Sequence, residues 1–185
     1  MSLVHLVPIC LPSQPPLLEH VRDQISRAFA ATVAVRPLCF DPELAFDSSR
    51  GQYNSTELLA HLLAESAGSE ARVLGIAGVD LFIPILTYVF GEAQLASRAA
   101  VVSIYRLDNA RYGLPGSNRL LLDRLTKEAI HELGHTCGLI HCDHPVCVMR
   151  SSTYVEDIDL KSEQFCSACN QRIRTHRSAR GAAPP

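Results

Sequence analysis

At 185 residues the chain is long enough for one well-buried core and short for two. A hydrophobic content of 47 % and a formal charge of −2 exclude an overall positive field of the kind that recruits nucleic acid or anionic lipid. Seven cysteines would suit a secreted disulfide scaffold, but the chain is large for one and the number is odd, so a reducing, cytoplasmic setting is expected.

Met1 to Pro8 has neither a basic leader nor a long apolar core, so Leu3 to Cys10 reads as a first strand. Pro12 to Pro16 breaks it before an amphipathic helix carrying Leu17, Leu18, Val21, Ile25, Ala28 and Phe29 near one face. Ala31 to Val35 restores β character. Alternation of this kind favours an α/β sheet whose strands are joined by packed helices.

Residues 38–53 read as an irregular excursion. Asn54-Ser55-Thr56-Glu57 resembles a capping box and opens a helix with Leu58, Leu59, Leu62 and Leu63 on its apolar face. Ala71 to Ala77 is expected to be a strand, and Ile85 to Glu92 another. Between Val73 and Gly91 the apolar run approaches membrane-spanning length, but Asp80, Pro84 and internal glycines divide it into short strands. Ala99 to Tyr105 continues the sheet. After a loop holding Gly113, Pro115 and Gly116, a helix over about 118–138 starts at Ser117 or Asn118, with Leu121, Leu122, Leu125, Ala129 and Leu133 as its anchors.

That helix carries the chemistry. His131 and His135 are four apart, so both imidazoles reach one ion from consecutive turns, and Glu132 lies beside them. Gly138 tolerates the left-handed conformation that ends a helix, which lets His141 swing back as a third ligand. Three neutral histidines leave one coordination position open, as in catalytic zinc, and the extended spacing marks the metzincin peptidases. Cys142, Cys147, Cys166 and Cys169 supply four thiolates for a second, closed zinc. Cys10, Cys39 and Cys137 are expected to be free thiols buried as small hydrophobes. His144 is read as a loop residue.

The His-Glu-x-x-His-x-x-Gly-x-x-His motif, the abutting Cys142, the second Cys147, Met149 and the later Cys166-Ser167-Ala168-Cys169 together resemble the archaemetzincin family closely. Val73 to Ile76, Val79 to Leu81 and Val89 to Ala93 are similar to its central strands. The resemblance implies a compact zinc peptidase domain over 1–175, with a mixed sheet above the active-site helix and a four-cysteine zinc unit at 142–169. It also implies that Met149 forms a supporting turn beneath the histidines. The Ile85 to Glu92 segment would be an exposed sheet edge to which a peptide adds as a further strand. A basic stretch and a frayed tail over 176–185 close the chain.

The expected reaction is hydrolysis of peptide bonds in a peptide or protein substrate. Two zinc ions serve as cofactors; the catalytic one acidifies a bound water, and Glu132 acts as general base. The protein is expected to be a monomer without membrane or nucleic-acid partners. Two other readings remain open: a zinc-stabilised module binding protein or nucleic acid, and the same fold with very narrow or absent peptidase activity.

Overall fold

The computed structural model describes residues 3–12 and 15–181, with side chains through residue 175. β1 (Leu3–Ile9), β2 (Thr32–Val35), β5 (Arg72–Ala77), β7 (Gly91–Ala93) and β8 (Ala99–Ser103) form a twisted sheet in the order β2-β1-β5-β8-β7. The first four run parallel and β7 runs antiparallel to β8. Parallel pairing requires crossovers that cover both faces. Accordingly every residue of β5 and β8 is buried.

Side-chain alternation along the strands sorts the core into two layers. Leu74, Ile76, Ala100 and Val102 pack with α1 (Pro15–Phe29) and α3 (Asn118–Thr136) on one face. Val73, Ala77, Ala99 and Val101 pack with α2 (Ser55–Glu65) on the other. In α1, Leu17, Val21, Ile25 and Phe29 are buried, whereas Ala28, expected on that stripe, is exposed.

Two expectations change. Residues 38–53 are not merely irregular: a 3-10 turn at Pro42–Ala45 leads into β3 (Phe46–Asp47) and β4 (Gln52–Asn54), which join β6 (Leu81–Phe82) in a second, three-stranded sheet. The Ile85 to Glu92 strand shrinks to its end. Val89 makes a single bridge to Leu81, and regular pairing begins only at Gly91. The preceding loop is held by side chains instead of a ladder: Arg50 Nη2 donates to the carbonyls of Leu86 (2.9 Å) and Thr87 (3.2 Å), and Gln52 Nε2 also donates to Thr87 (3.1 Å).

α3 is enclosed by the rest of the chain. Leu125, Ala129 and Leu133 are fully buried, but so, nearly, are Arg124, Lys127 and Glu128. Arg124 forks onto Asp159 with two 2.7 Å bonds and donates to Leu107 O and Asn109 Oδ1 at 2.8 Å, so the charge is matched where it is buried. Asp159 belongs to α4 (Val155–Leu160), and α5 (Ser167–Gly181) completes the fold. The expected tail from residue 176 falls partly on the backbone of α5 and partly, at 182–185, outside the described residues. No described helix is long and apolar enough to cross a membrane.

Candidate metal centres and active site

α3 stops where the chain must turn back. Ser117 caps its start through Leu120 N–H, and the helix ends at Thr136. Gly138 adopts φ 83°, with its N–H on His135 O and Leu139 N–H on Gly134 O. This left-handed ending returns His141 toward the helix. The ring centroids of His131, His135 and His141 then lie 4.7, 5.3 and 5.0 Å apart, and one ligand nitrogen from each falls within 4.8 Å of the others.

Backbone carbonyls decide which nitrogens face inward. His131 Nδ1 is 2.8 Å from Val148 O, and His135 Nδ1 is 2.7 Å from Leu139 O. A carbonyl only accepts, so both Nδ1 atoms carry the proton and both Nε2 atoms present lone pairs. Those two Nε2 atoms are 3.0 Å apart. Facing lone pairs repel unless a cation lies between them, and a tetrahedral zinc site would space its nitrogens by about 3.3 Å. Burial, then the charges of Lys161 and His135, hold His131 well below the usual histidine range, so the ring is neutral. This donor set fits a divalent ion. His141 is exposed, so the site opens toward solvent on its side.

Glu132 lies on the same turn and is buried. A Cβ at Gly91 would stand 2.8 Å from Glu132 Cγ and Oε1 and 2.7 Å from Val101 O, so the carboxylate is pressed against the bare backbone of β7. Burial first, then Glu128, pushes its pKa well above the ordinary carboxylate range, with Lys161 opposing.

Lys161 and Glu128 were not visible as site residues in the sequence. They make a buried 2.8 Å ion pair one turn before Glu132, and Lys161 Nζ also donates to Arg150 O at 3.0 Å. The pair thus ties the segment after Met149 to α3. Glu128, four residues before Glu132, had a helical signal; Lys161 had none.

Met149 is fully buried, and its Sδ occupies the space that a side chain at Gly134 would need. The methionine therefore packs directly under the turn that separates the first two histidines. Cys142 N–H bonds Met149 O at 3.0 Å, which closes the loop between them.

The four cysteines converge beside this turn. Cys142 Sγ is 3.8 Å from Cys166 Sγ, and Cys147 Sγ is 3.8 Å from Cys169 Sγ. A tetrahedron with 2.3 Å zinc–sulfur bonds has edges of about 3.8 Å, whereas a disulfide would bring the atoms to about 2.05 Å. The Cys169 backbone N–H, ahead of weaker sulfur contacts, lowers the Cys166 thiol to about 7. Burial instead pushes the Cys147 and Cys169 thiols up, so ionising all four would depend on a bound cation. His144 is exposed and lies in neither cluster. Of the three isolated cysteines, only Cys137 is buried; Cys10 and Cys39 are exposed, because each sits in a connection beyond the end of a strand.

Known proteins resemble this chain in sequence and in fold. The model of peptidase family M54 matches residues 43–175. An archaemetzincin of Methanocaldococcus jannaschii is 43 % identical over 133 residues, 72 % of each chain. One from Haloquadratum walsbyi is 36 % identical over 175 residues, covering 92 % of this chain and 99 % of that one. The crystal structure of archaemetzincin from Methanopyrus kandleri superposes with a TM-score of 0.80 at 33 % identity, over 96 % of both chains. With the family model spanning both clusters and a relative aligned nearly end to end, the chain belongs to peptidase family M54, the archaemetzincins, zinc metallopeptidases that hydrolyse peptide bonds.

Proposed function

We propose that His131, His135 and His141 hold a catalytic zinc, that Glu132 is the general base, and that Cys142, Cys147, Cys166 and Cys169 hold a second, structural zinc. The observation that carries the reading is the pair of inward Nε2 lone pairs at 3.0 Å, set by carbonyls on both Nδ1 atoms, with a buried carboxylate on the same helical turn.

Bound at the histidines, zinc supplies a Lewis acid that acidifies water and polarises the scissile carbonyl. Glu132 takes a proton from the attacking water and returns it to the leaving amine, a double role open to a buried carboxylate on the same helical turn as two of the histidines. The Gly91 backbone keeps that carboxylate in one place. β7, last strand of its sheet, offers main-chain donors and acceptors to an extended peptide and aligns it over the histidines. Met149 and Gly134 fix the floor below.

The test is zinc stoichiometry by native mass spectrometry combined with a peptide-library digest of wild type and Glu132→Ala. Two zincs in both proteins, and turnover lower by at least about a hundredfold in the variant, are expected. Full activity in Glu132→Ala would refute the assigned role, and a single bound zinc would refute the two-site reading.

A further inference from the structure

Beside the free edge of β7 runs a groove of about 760 Å³, bounded by α2 on one side and by Glu92 to Leu95 on the other. Its lining is mainly aliphatic: Leu59, Ala60, Leu63 and Ala64 from α2, with Leu95 opposite. Leu95 is 55 % exposed, although it adjoins these apolar side chains.

The charged groups at the ends of the groove are already engaged. Glu92 accepts from Ser55 Oγ and from Thr56 Oγ1 (3.0 Å). Arg98 Nη1 turns toward the carbonyls of Ser66 (3.5 Å) and Ser69. Both charges are hydrogen-bonded into the fold at the ends of the groove, and the aliphatic stretch between them suits an apolar group.

Strand geometry says which group arrives there. Ser103 N–H bonds Phe90 O and Gln94 N–H bonds Ala99 O, so alternate residues of the strand bond inward to β8. Gly91 and Ala93 between them turn their N–H and C=O outward. A peptide paired to those groups places alternate side chains on each face of the extended sheet. One set faces α3 and the histidines. The other set shares the face of Glu92 and Gln94, and that face looks onto α2. Gly91 faces Glu132 on the α3 side and its neighbour Glu92 lines the groove on the α2 side, so β7 carries the base against one face and the groove against the other. At the far end Ala96 N–H bonds His135 O at 2.9 Å, which ties this edge to the metal helix.

We infer that the groove between α2 and β7 is a specificity subsite taking a large aliphatic or aromatic side chain of an extended peptide substrate, at one fixed position relative to the scissile bond. The inference rests on the proposed placement of the substrate along β7. Ala60 and Ala64 are exposed helical positions on the groove wall, so Ala60→Phe and Ala64→Phe fill the groove without disturbing the core.

The experiment uses the zinc-loaded chain and a library of peptides that differ only in leucine, phenylalanine or glycine at each successive position. Cleavage is read as kcat/KM, and binding to the Glu132→Ala form is read separately by fluorescence anisotropy. At one position, leucine or phenylalanine should be preferred over glycine by about tenfold or more, and both groove variants should collapse that ratio toward one. The same loss of preference in binding alone, with no cleavage by wild type, would uphold the subsite while refuting the hydrolytic reading. A preference unaltered in both variants, or no apolar preference at any position, would overturn the subsite.

Discussion

Gly91 shows how little space surrounds the base. An added methyl would meet Val101 O at 2.7 Å and the Glu132 side chain at 2.8 Å, and the carboxylate is the softer of the two. Gly91→Ala should lower kcat by at least about tenfold with zinc content unchanged, because a shift of an ångström in a catalytic group is costly. The coupling is measurable: Glu132→Asp, one methylene shorter, should cost less in the Gly91→Ala background than in wild type. Strictly additive costs would dissociate the glycine from the base. At this scale the ligand residues were legible because metal chemistry demands particular side chains at fixed spacings, as at His131, His135, His141 and the four cysteines. The Lys161–Glu128 pair was not, since its partners meet only in the folded chain and the helical spacing of Glu128 from Glu132 says nothing of Lys161. The exposure of Cys10 and Cys39 escaped notice for the same reason: burial is a property of the neighbours.

Among the elements, the caps carried over, and so did the apolar stripes apart from Ala28. Asn54 Oδ1 accepts from Thr56 N–H at 3.0 Å and Glu57 N–H at 3.4 Å, at the start that the Asn-x-x-Glu pattern predicts for α2. Asn54→Ala should cost about 1 kcal/mol in denaturant unfolding, with zinc binding unaffected. At α4 the N–H groups of Tyr154 and Thr153, each 2.9 Å from Asp157 Oδ2, hold that carboxyl below its ordinary value. The depressed folded-state value means that its stabilisation is present above the unfolded pKa of 3.8 and fades as pH falls through the lower folded one. The difference in thermal midpoint between wild type and Asp157→Asn should therefore narrow below about pH 4; a constant difference would contradict the linkage. The Ile85 to Glu92 segment departs from its strand reading because its β-rich composition is real, while its backbone is claimed by Arg50 of the β3–β4 turn and Gln52 of β4. Local propensity yields where distant side chains offer better partners.

For the molecule as a whole, the α/β architecture followed from the alternation of strands and helices, and the small second sheet did not, because its strands are only two or three residues long. The two buried layers are joined to the ligand loops at a few places. Val148, whose carbonyl orients His131, lies between Cys147 and Met149, and Cys142 directly follows His141. Cys166→Ser should therefore lower zinc retention at the histidines as well as at the cysteines, measured by competition with a chelator. Full retention at the histidine site would show the two to be independent. The order of these residues along the chain matters during synthesis. Cys166 and Cys169 emerge last, some thirty residues after His135, so under the proposed arrangement a nascent polypeptide already displaying all three imidazoles still lacks the clamp that steadies them. Under that arrangement proteolytic competence waits for the synthesis of Cys166 and Cys169, well after the last of the three imidazoles has been made.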